Sequence, residues 1–339
     1  MKRSTVAVVG ATGAVGRTML EVLAERNLPL GRVRVMASAR SAGARILWKG
    51  ESLQVEDVAL ADFAGVDLAL FAGGEVASAD YAPRACTQGA LVVDNSATFR
   101  MDPKVPLVVP EVNPHHLARH SGLIANPNCS TIQMVVALAP IHASAGLKRV
   151  AVSTYQSVSG TGKEALEELQ EQTRSWVGGG PMPSPRVYPR TIAFNVLPQI
   201  AAFDEEGSTG EEVKMVLETR KILGLADLPV MATCVRVPVF HAHSEVVYVE
   251  TERPLSPEQA REVLRGAPGV RVVDDPARGE YPTPLDAEGQ DLVLVGRIRR
   301  DPTVPHGLAM WVVADNLRKG AATNAVQIAE ALWGVDGKA

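Results

Sequence analysis

Short apolar runs recur along the first part of the chain and alternate with segments of helical periodicity. The runs Thr5–Val9, Val33–Ala37, Val66–Phe71 and Leu91–Val93 have the length and composition of buried parallel strands. Further along, Val150–Val158 alternates as an antiparallel strand does. The pattern predicts an α/β chain with an N-terminal Rossmann-type dinucleotide-binding domain and then an α+β domain with a mixed or antiparallel sheet.

The change of pattern places a domain boundary near residue 130. We expect the first domain to cover residues 1–130 and to be completed by the C-terminal helical segment 315–339, and the second to cover residues 131–314. The apolar positions of Ala321–Trp333 suggest that this last helix packs on the first domain. With 339 residues and 46% apolar residues, the chain can bury two such cores.

A glycine-rich turn follows the first predicted strand and opens a helix. It reads Gly10-Ala-Thr12-Gly13-Ala14-Val15-Gly16, so its spacing is GxxGxxG rather than GxGxxG. Glycines in this context let the backbone approach a pyrophosphate at the helix N-terminus. The sequence favours a dinucleotide site here, and the alternative is a merely tight turn between strand and helix.

The residues after the second strand bear on the choice of cofactor. An NAD-selective domain tends to place Asp or Glu there to bind the ribose 2′-hydroxyl. This chain has Ser38, Arg40 and Ser41 instead, a cation with two hydroxyls that suit a 2′-phosphate. The pattern favours NADP over NAD.

Cys129 is the candidate nucleophile. It follows the strand Leu123–Ala125 and the turn Asn-Pro-Asn, and helical periodicity begins at Ser130. The first turn of a helix favours a thiolate and can lower the pKa of a cysteine from about 8.5 to between roughly 3.5 and 7.5. From the residue type alone, a buried and inert cysteine is the alternative.

Several charged residues have a functional and a structural interpretation. Arg100 ends the polar segment after a predicted strand, where it could clamp an oxyanion or lie solvated in a loop. Glu211 and Lys214 share a helix face and could present an acid and a cation to a pocket, but the sequence alone favours a surface ion pair. Glu212, three residues after Thr209, completes the pattern of a capping box and is expected to be structural.

Two histidines near the strand Ser244–Glu250 are candidates for an acid/base. The alternation of a strand would place His241 and His243 on one side. A thiol nucleophile needs a base whose pKa lies near neutrality, which favours a role for His243. A lone histidine is nonetheless more often structural.

Composition excludes several classes of partner. A net charge of −4 gives no reason to expect nucleic acid or an anionic membrane, and no apolar run in the sequence is long enough to span a bilayer. The three cysteines are far apart and form no zinc motif, so we expect no metal and a reducing cytoplasm.

Nine motifs, in order, carry a resemblance to the aspartate-semialdehyde dehydrogenase family that covers nearly the whole chain. They are GATGAVG, ASARSAG, NSATFR, PNCSTIQM, STYQSVSGTG, FNVLPQI, EEVKM, RVPVFHAHSE and DNLRKGAATNAVQIAE. The resemblance implies NADP- and phosphate-dependent interconversion of L-aspartate 4-semialdehyde and L-aspartyl 4-phosphate. This oxidoreductase step belongs to lysine, diaminopimelate, methionine and threonine biosynthesis. The resemblance also implies that the second domain is catalytic and assembles homodimers or tetramers.

The resemblance assigns roles by motif. Cys129 would carry the acyl thioester, His243 would be the acid/base, and Gln156 would orient the substrate. Arg236 would bind the α-carboxylate of the substrate and Glu211 would bind its amino group. Arg100 and Lys214 would bind the phosphate. The cofactor would be lined by the glycine turn, by the residues after the second strand, and by Ser159, Gly160 and Asn316. At the position of His241, members of the family typically have a small residue instead.

Two other functions are compatible with parts of the pattern. An N-acetylglutamyl-phosphate reductase would use the same thiol and cofactor logic without an acid for a free amino group. A non-catalytic NADP-binding homologue would be expected to lack Cys129 or His243, and this chain has both.

Overall fold

The computed structural model describes residues 3–335, so residues 336–339 of the predicted C-terminal segment lie outside the described part. The chain divides into two compact units. Unit 1 comprises the residues up to Asn128 and those from Gly320 onward, and unit 2 is Cys129–Lys319.

Strands and helices alternate along much of the chain. The strands are β1 (Ser4–Val9), β2 (Leu30–Ala37), β3 (Arg45–Trp48), β4 (Glu51–Asp57), β5 (Leu68–Phe71), β6 (Leu91–Asp94), β7 (Leu123–Ala125), β8 (Leu147–Gln156), β9 (Val230–Arg236), β10 (His243–Thr251), β11 (Val270–Val272), β12 (Val293–Asp301) and β13 (Gly307–Ala314). The α-helices are α1 (Ala14–Glu25), α2 (Gly74–Thr87), α3 (Cys129–Ala145), α4 (Lys163–Val177), α5 (Gly210–Leu223), α6 (Pro257–Arg265), α7 (Pro284–Ala287) and α8 (Thr323–Trp333).

Unit 1 is built on a sheet with the order β3-β4-β2-β1-β5-β6-β7. All neighbouring strands are parallel except β3 and β4. Val6 and Val8 of β1 share one core with Val326 and Ala329 of α8, so the last helix belongs to this unit. Parallel strands buried in this way bind ligands at their carboxyl ends.

Unit 2 contains a mixed sheet with the order β11-β12-β13-β10-β8-β9. Strand β10 pairs antiparallel with β8 and β13, while β8 and β9 are parallel. Along β10 the odd-numbered residues from His243 to Val249 are buried, whereas Val246 is half-buried and Tyr248 is exposed. The α/β class, the Rossmann-type first domain and the mixed second sheet predicted from the sequence are therefore confirmed.

The predicted and observed elements differ in places where local signals are weak. The hairpin β3–β4 and the short strand β11 were not predicted. The short helix α7, between β11 and β12, was not predicted either. Within residues 3–335, no helix is long and apolar enough to cross a membrane.

Candidate active site

The glycine turn of unit 1 is shaped by two close approaches of the backbone. Gly10 has φ +83°, and a Cβ on it would lie 2.5 Å from the backbone of Ala72. A Cβ on Gly16 would lie 2.2 Å from the carbonyl oxygen of Gly10. At Gly13, which precedes α1, an added Cβ would meet nothing closer than 3.4 Å. Packing therefore requires the outer two glycines, and the middle one leaves room for a ligand at the N-terminus of α1.

A cavity of about 400 Å³ lies beside this turn. Its lining includes Gly10, Thr12, Gly13, Ser38, Gly73, Asp80 and Tyr81. Arg40 and Ser41 form a single helical turn just after β2, and neither lines the cavity. Ala14 and Val15 are the first residues of α1. The open face at Gly13 and the neighbouring cavity fit a dinucleotide.

Cys129 is the first residue of α3, directly after the Asn-Pro-Asn turn that follows β7. Gln133 lies one helical turn later, so its side chain is on the same helix face. The Gln133 Nε2 atom donates a hydrogen bond to the main-chain oxygen of His243 at 3.4 Å. Cys129 therefore stands on the face of α3 that meets the start of β10.

The other two cysteines are in different surroundings. The Cys86 thiol donates a hydrogen bond to the carbonyl oxygen of Gly122 at 3.4 Å. The Cys234 Sγ atom lies 3.6 Å from the Met215 Sδ atom. Burial raises the pKa of the Cys86 and Cys234 thiols. Both are expected to remain protonated and unreactive near neutral pH.

His243 is fully buried and is held by Ser157. Its Nδ1 atom accepts a hydrogen bond from the Ser157 N–H at 3.0 Å and also lies 3.0 Å from the Ser157 hydroxyl oxygen. A backbone amide can only donate, so this contact favours the neutral tautomer with its proton on Nε2. Burial, assisted by the positive charge of Arg236, holds the pKa of His243 well below its usual range, although contact with the backbone of Ala242 acts in the opposite direction.

The prediction that His241 and His243 lie on one side of a strand was wrong. Strand β10 begins only at His243, because the preceding Ala242 adopts a left-handed conformation with φ +67°. His241 lies in the turn, with its Nε2 atom 3.8 Å from a carboxylate oxygen of Glu288. Only His243 joins the buried cluster.

Arg236 and His243 face one small space in unit 2. Arg236 ends β9, is buried, and donates from Nη1 to the carbonyl oxygen of Ser157 at 2.7 Å. A Cβ added to Gly160 would lie 3.0 Å from Arg236 Nη1 and 3.2 Å from His243 Nε2. Among the described residues, neither Arg236 Nε nor His243 Nε2 has a hydrogen-bond partner. Buried donors without partners are costly, so this space suits a polar ligand.

A second group of side chains joins β8 to α5. Gln156 ends β8 and donates from Nε2 to a carboxylate oxygen of Glu211 at 3.2 Å and to the hydroxyl of Thr154 at 3.3 Å. The other oxygen of Glu211 lies 3.7 Å from Lys214 Nζ. Glu211 is buried and Lys214 is partly exposed, so the prediction of a surface ion pair was wrong.

The capping box predicted at the start of α5 is confirmed. Glu212 accepts a hydrogen bond from the Thr209 N–H at 2.7 Å, and its own N–H donates to the Thr209 hydroxyl. Its second carboxylate oxygen accepts from the Cys234 N–H at 2.9 Å. Glu212 is thus structural, and it links α5 to β9.

Arg100 lies in unit 1 and is buried rather than solvated. Its Nε atom donates to the carbonyl oxygen of Asn126 and its Nη2 atom to that of Asn95, both at 2.9 Å. These contacts fix the plane of the guanidinium group, which is the condition for binding an oxyanion with two parallel hydrogen bonds.

Ser159 and Asn316 belong to a hydrogen-bonded cluster that could not be predicted from the sequence. The Asn316 Oδ1 atom accepts from the hydroxyls of Ser157 and Ser159 and from the N–H of Ala242, at 3.0–3.1 Å. Its Nδ2 atom is buried without a partner in the described part of the chain. Ser157, which contacts His243, Arg236 and Asn316, was missed because its neighbours come from distant strands.

Comparisons with known proteins agree on one family. Residues 5–120 match the family model "Semialdehyde dehydrogenase, NAD binding domain", and residues 138–319 match "Semialdehyde dehydrogenase, dimerisation domain". The chain is 56% identical over 330 residues to the aspartate-semialdehyde dehydrogenase of Aquifex aeolicus, covering 96% of this chain and 97% of that protein.

Solved structures extend the likeness to three dimensions. The crystal structure of aspartate semialdehyde dehydrogenase II of Vibrio cholerae complexed with ASA superposes with a TM-score of 0.96 at 47% identity, covering 98% of this chain and 99% of that one. The Candida albicans enzyme with NADP has a TM-score of 0.77 at 26% identity and covers 98% and 99% of the two chains. The match over nearly the full length, at this level of identity, shows that the chain belongs to the aspartate-semialdehyde dehydrogenase family.

Proposed function

We propose that the chain interconverts L-aspartate 4-semialdehyde and L-aspartyl 4-phosphate, with NADP and inorganic phosphate as co-substrates and a thioester on Cys129. The observation that carries the proposal is the space at Gly160, which the unpartnered Nε2 of His243 and the guanidinium of Arg236 both border. It is supported by membership in the family and by the position of Cys129 on the helix face that meets His243.

In the oxidative direction, the Cys129 thiolate adds to the aldehyde carbon and forms a C–S bond. The N-terminal amides of α3 are suited to stabilise the resulting oxyanion, and His243 exchanges the proton with that oxygen through Nε2. NADP, when bound, accepts the hydride. A phosphate oxygen then attacks the thioester carbonyl, the C–S bond breaks, and the acyl phosphate and the thiolate are released.

Two residues of unit 2 are proposed to recognise the amino-acid end of the substrate. Arg236 would bind the α-carboxylate, which would give its buried Nε–H a partner. Glu211 would bind the amino group, because its carboxylate is buried and oriented by Gln156. Gln156 would thereby also orient the substrate beside the sulfur.

The phosphate is proposed to bind to Arg100 and Lys214. The support for Arg100 is its anchored guanidinium, and the support for Lys214 is its partly exposed ammonium next to Glu211. Both assignments otherwise rest on the family resemblance.

The cofactor is proposed to be NADP. The turn from Gly10 to Gly16 would hold the pyrophosphate, with Ser38, Arg40 and Ser41 near the 2′-phosphate. Ser159, Gly160 and Asn316 are proposed to contact the cofactor as well, and the buried Nδ2 of Asn316 is a donor suited to an amide oxygen.

The test is to measure NADPH formation with L-aspartate 4-semialdehyde, with and without inorganic phosphate. We expect reduction that requires both, and a preference for NADP over NAD that weakens in Arg40→Ala. N-acetylglutamate semialdehyde is the control substrate. Phosphate-dependent activity with the control alone would contradict the proposal, as would aldehyde oxidation that is indifferent to phosphate.

We also propose that the chain assembles as a homodimer through the outer face of the unit 2 sheet. That face carries the exposed residues Tyr155, Met231 and Tyr248 and is next to a groove of about 420 Å³, which Trp311 also lines. An apolar sheet face of this kind is typical of an interface. The match to a dimerisation domain supports a second copy as the occupant.

The assembly is tested by light scattering after gel filtration. We expect a dimer for the native chain and a monomer for Tyr248→Arg combined with Met231→Arg. Leu60→Arg is the control, because Leu60 is also hydrophobic but lies 84% exposed in unit 1. A double variant that remains dimeric would place the interface elsewhere, and a native tetramer would require a second interface. We further propose a cytoplasmic location, which cell fractionation would test.

A further inference from the structure

Glu245 is a fully buried carboxyl group two residues beyond His243 on β10. The alternation of the strand places both side chains on the face covered by α3. Within residues 3–335, neither carboxyl oxygen of Glu245 has a hydrogen-bond partner by distance and angle, and the same is true of Gln133 Oε1. The proposed chemistry does not use any of these three atoms.

In the part of the chain that the structure describes, the groups around Glu245 do not supply a compensating cation. On the neighbouring strands it is paired with Thr154 of β8 and Val312 of β13. Glu211 of α5 acts on it as a like charge, Glu245 in turn disfavours ionisation of Cys234 on β9, and α3 contributes the uncharged Gln133. Burial, together with the negative charge of Glu211, raises the pKa of Glu245 well above its usual range, and only Gln133 acts in the opposite direction. Burial without a compensating cation therefore favours the uncharged form of the Glu245 carboxyl group.

An uncharged acid changes the account of hydrogen bonds in this cluster. The protonated carboxyl has one O–H to donate, and Gln133 Oε1 is an acceptor that lacks a partner. Gln133 already donates from Nε2 to the main-chain oxygen of His243 at 3.4 Å. A proton on Glu245 that is donated to Gln133 Oε1 would give both groups a partner, and it would hold the amide of Gln133 in one orientation.

We propose that Glu245 is a positioning residue, which donates a hydrogen bond to Gln133 and through it holds His243 against the face of α3 that carries Cys129. The catalytic part of this inference rests on the proposed function. The proposed hydrogen bond between Glu245 and Gln133 does not depend on that function.

The experiment compares Glu245→Gln with Glu245→Leu. Glutamine keeps a donor and an uncharged side chain, so kcat should stay within about threefold of the native value. Leucine removes the donor, so kcat should fall about tenfold, the size of one lost hydrogen bond, while KM for the semialdehyde changes little. Glu250→Gln is the matched control, since Glu250 lies on the same strand and is paired with Lys148 at 2.6 Å.

Infrared spectroscopy supplies a second measurement that does not depend on activity. The native protein at neutral pH should show the carbonyl stretch of a protonated carboxylic acid, which Glu245→Gln should lack and Glu250→Gln should retain. Absence of that band, or a Gln variant as impaired as the Leu variant, would overturn the proposal, and so would a fully active Leu variant. If the native chain has no activity with the semialdehyde, the proposed function fails, while the infrared band still decides whether the acid is protonated.

Discussion

Replacing Gly160 with alanine probes the space between Arg236 and His243 directly. The new methyl carbon would lie 3.0 Å from Arg236 Nη1 and 3.2 Å from His243 Nε2, whereas ordinary contacts lie at about 3.5–4.0 Å. Gly160 is not in the left-handed region, so the backbone can accept alanine without strain. The methyl group would therefore crowd Arg236 and His243 without straining the backbone.

The magnitude follows from the hydrogen bond that is displaced. A hydrogen bond to a charged group contributes about 1.5–3 kcal/mol. At about 1.36 kcal/mol per factor of ten, kcat/KM for the semialdehyde should fall about 10- to 150-fold in Gly160→Ala. The free energy of unfolding should change by less than about 1 kcal/mol, because the loss of chain entropy in the unfolded state offsets the tight contacts.

The assay is NADP reduction over a range of semialdehyde concentrations, with NADP affinity measured separately by fluorescence titration. Gly266→Ala is the control, because the nearest chain atoms would lie 3.8 Å from its added carbon, which is an ordinary contact. Unchanged kcat/KM in Gly160→Ala would refute the assignment of this space to the substrate. Weaker NADP binding with an unchanged KM for the semialdehyde would support the proposed contact of Gly160 with the cofactor but would remove this space from the proposed substrate site.

Three further predictions concern single groups. Cys129→Ser should lower turnover about a thousandfold or more and leave NADP affinity and melting temperature unchanged, as activity, titration and calorimetry would show. In Glu245→Gln, urea denaturation at pH 7 should give a higher free energy of unfolding than in the native chain, because the native acid must bind a proton above its unfolded pKa of about 4.3. This gain should shrink as the pH falls and vanish near pH 4. A gain that does not depend on pH would contradict the raised pKa of Glu245. In Arg236→Gln the acidic limb of the kcat/KM profile should move to higher pH, because Arg236 helps to lower the pKa of His243; a limb that stays in place would exclude that coupling.

The elements with strong local signals could be predicted from the sequence. The capping box predicted at Thr209 and Glu212 starts α5 as expected. The start of α3 at Cys129 was also indicated, because an Asn-Pro turn separates an apolar strand from a helical pattern. In each case, the determining residues are neighbours along the chain.

The hairpin β3–β4 was missed for a physical reason. It lies at the edge of the unit 1 sheet, where side chains such as Leu47 are exposed and polar residues interrupt the alternation. Its turn at Lys49-Gly50, where both residues have positive φ, was the available signal.

The chemistry of the buried acids could not be predicted, because it depends on contacts between distant segments. On its own helix Glu211 has the pattern of a surface residue, and its burial involves contacts with distant segments, such as the hydrogen bond from Gln156 of β8. Glu245 did carry a local signal that was not used. It occupies a position of β10 with the same parity as His243 and Val247, so a charged residue type falls on the buried face.

The alternation of β10 also limits which changes in sequence length the strand can accept. One side of this strand carries His243 and Glu245 toward α3, and the other carries Tyr248 toward the outer face of the sheet. Because successive residues point to opposite sides, inserting or deleting one residue would exchange the two sets and place the imidazole outside and the tyrosine inside. We therefore expect β10 to accept substitutions but not changes in length, whereas residues 178–190, which form no strand, should accept changes in length.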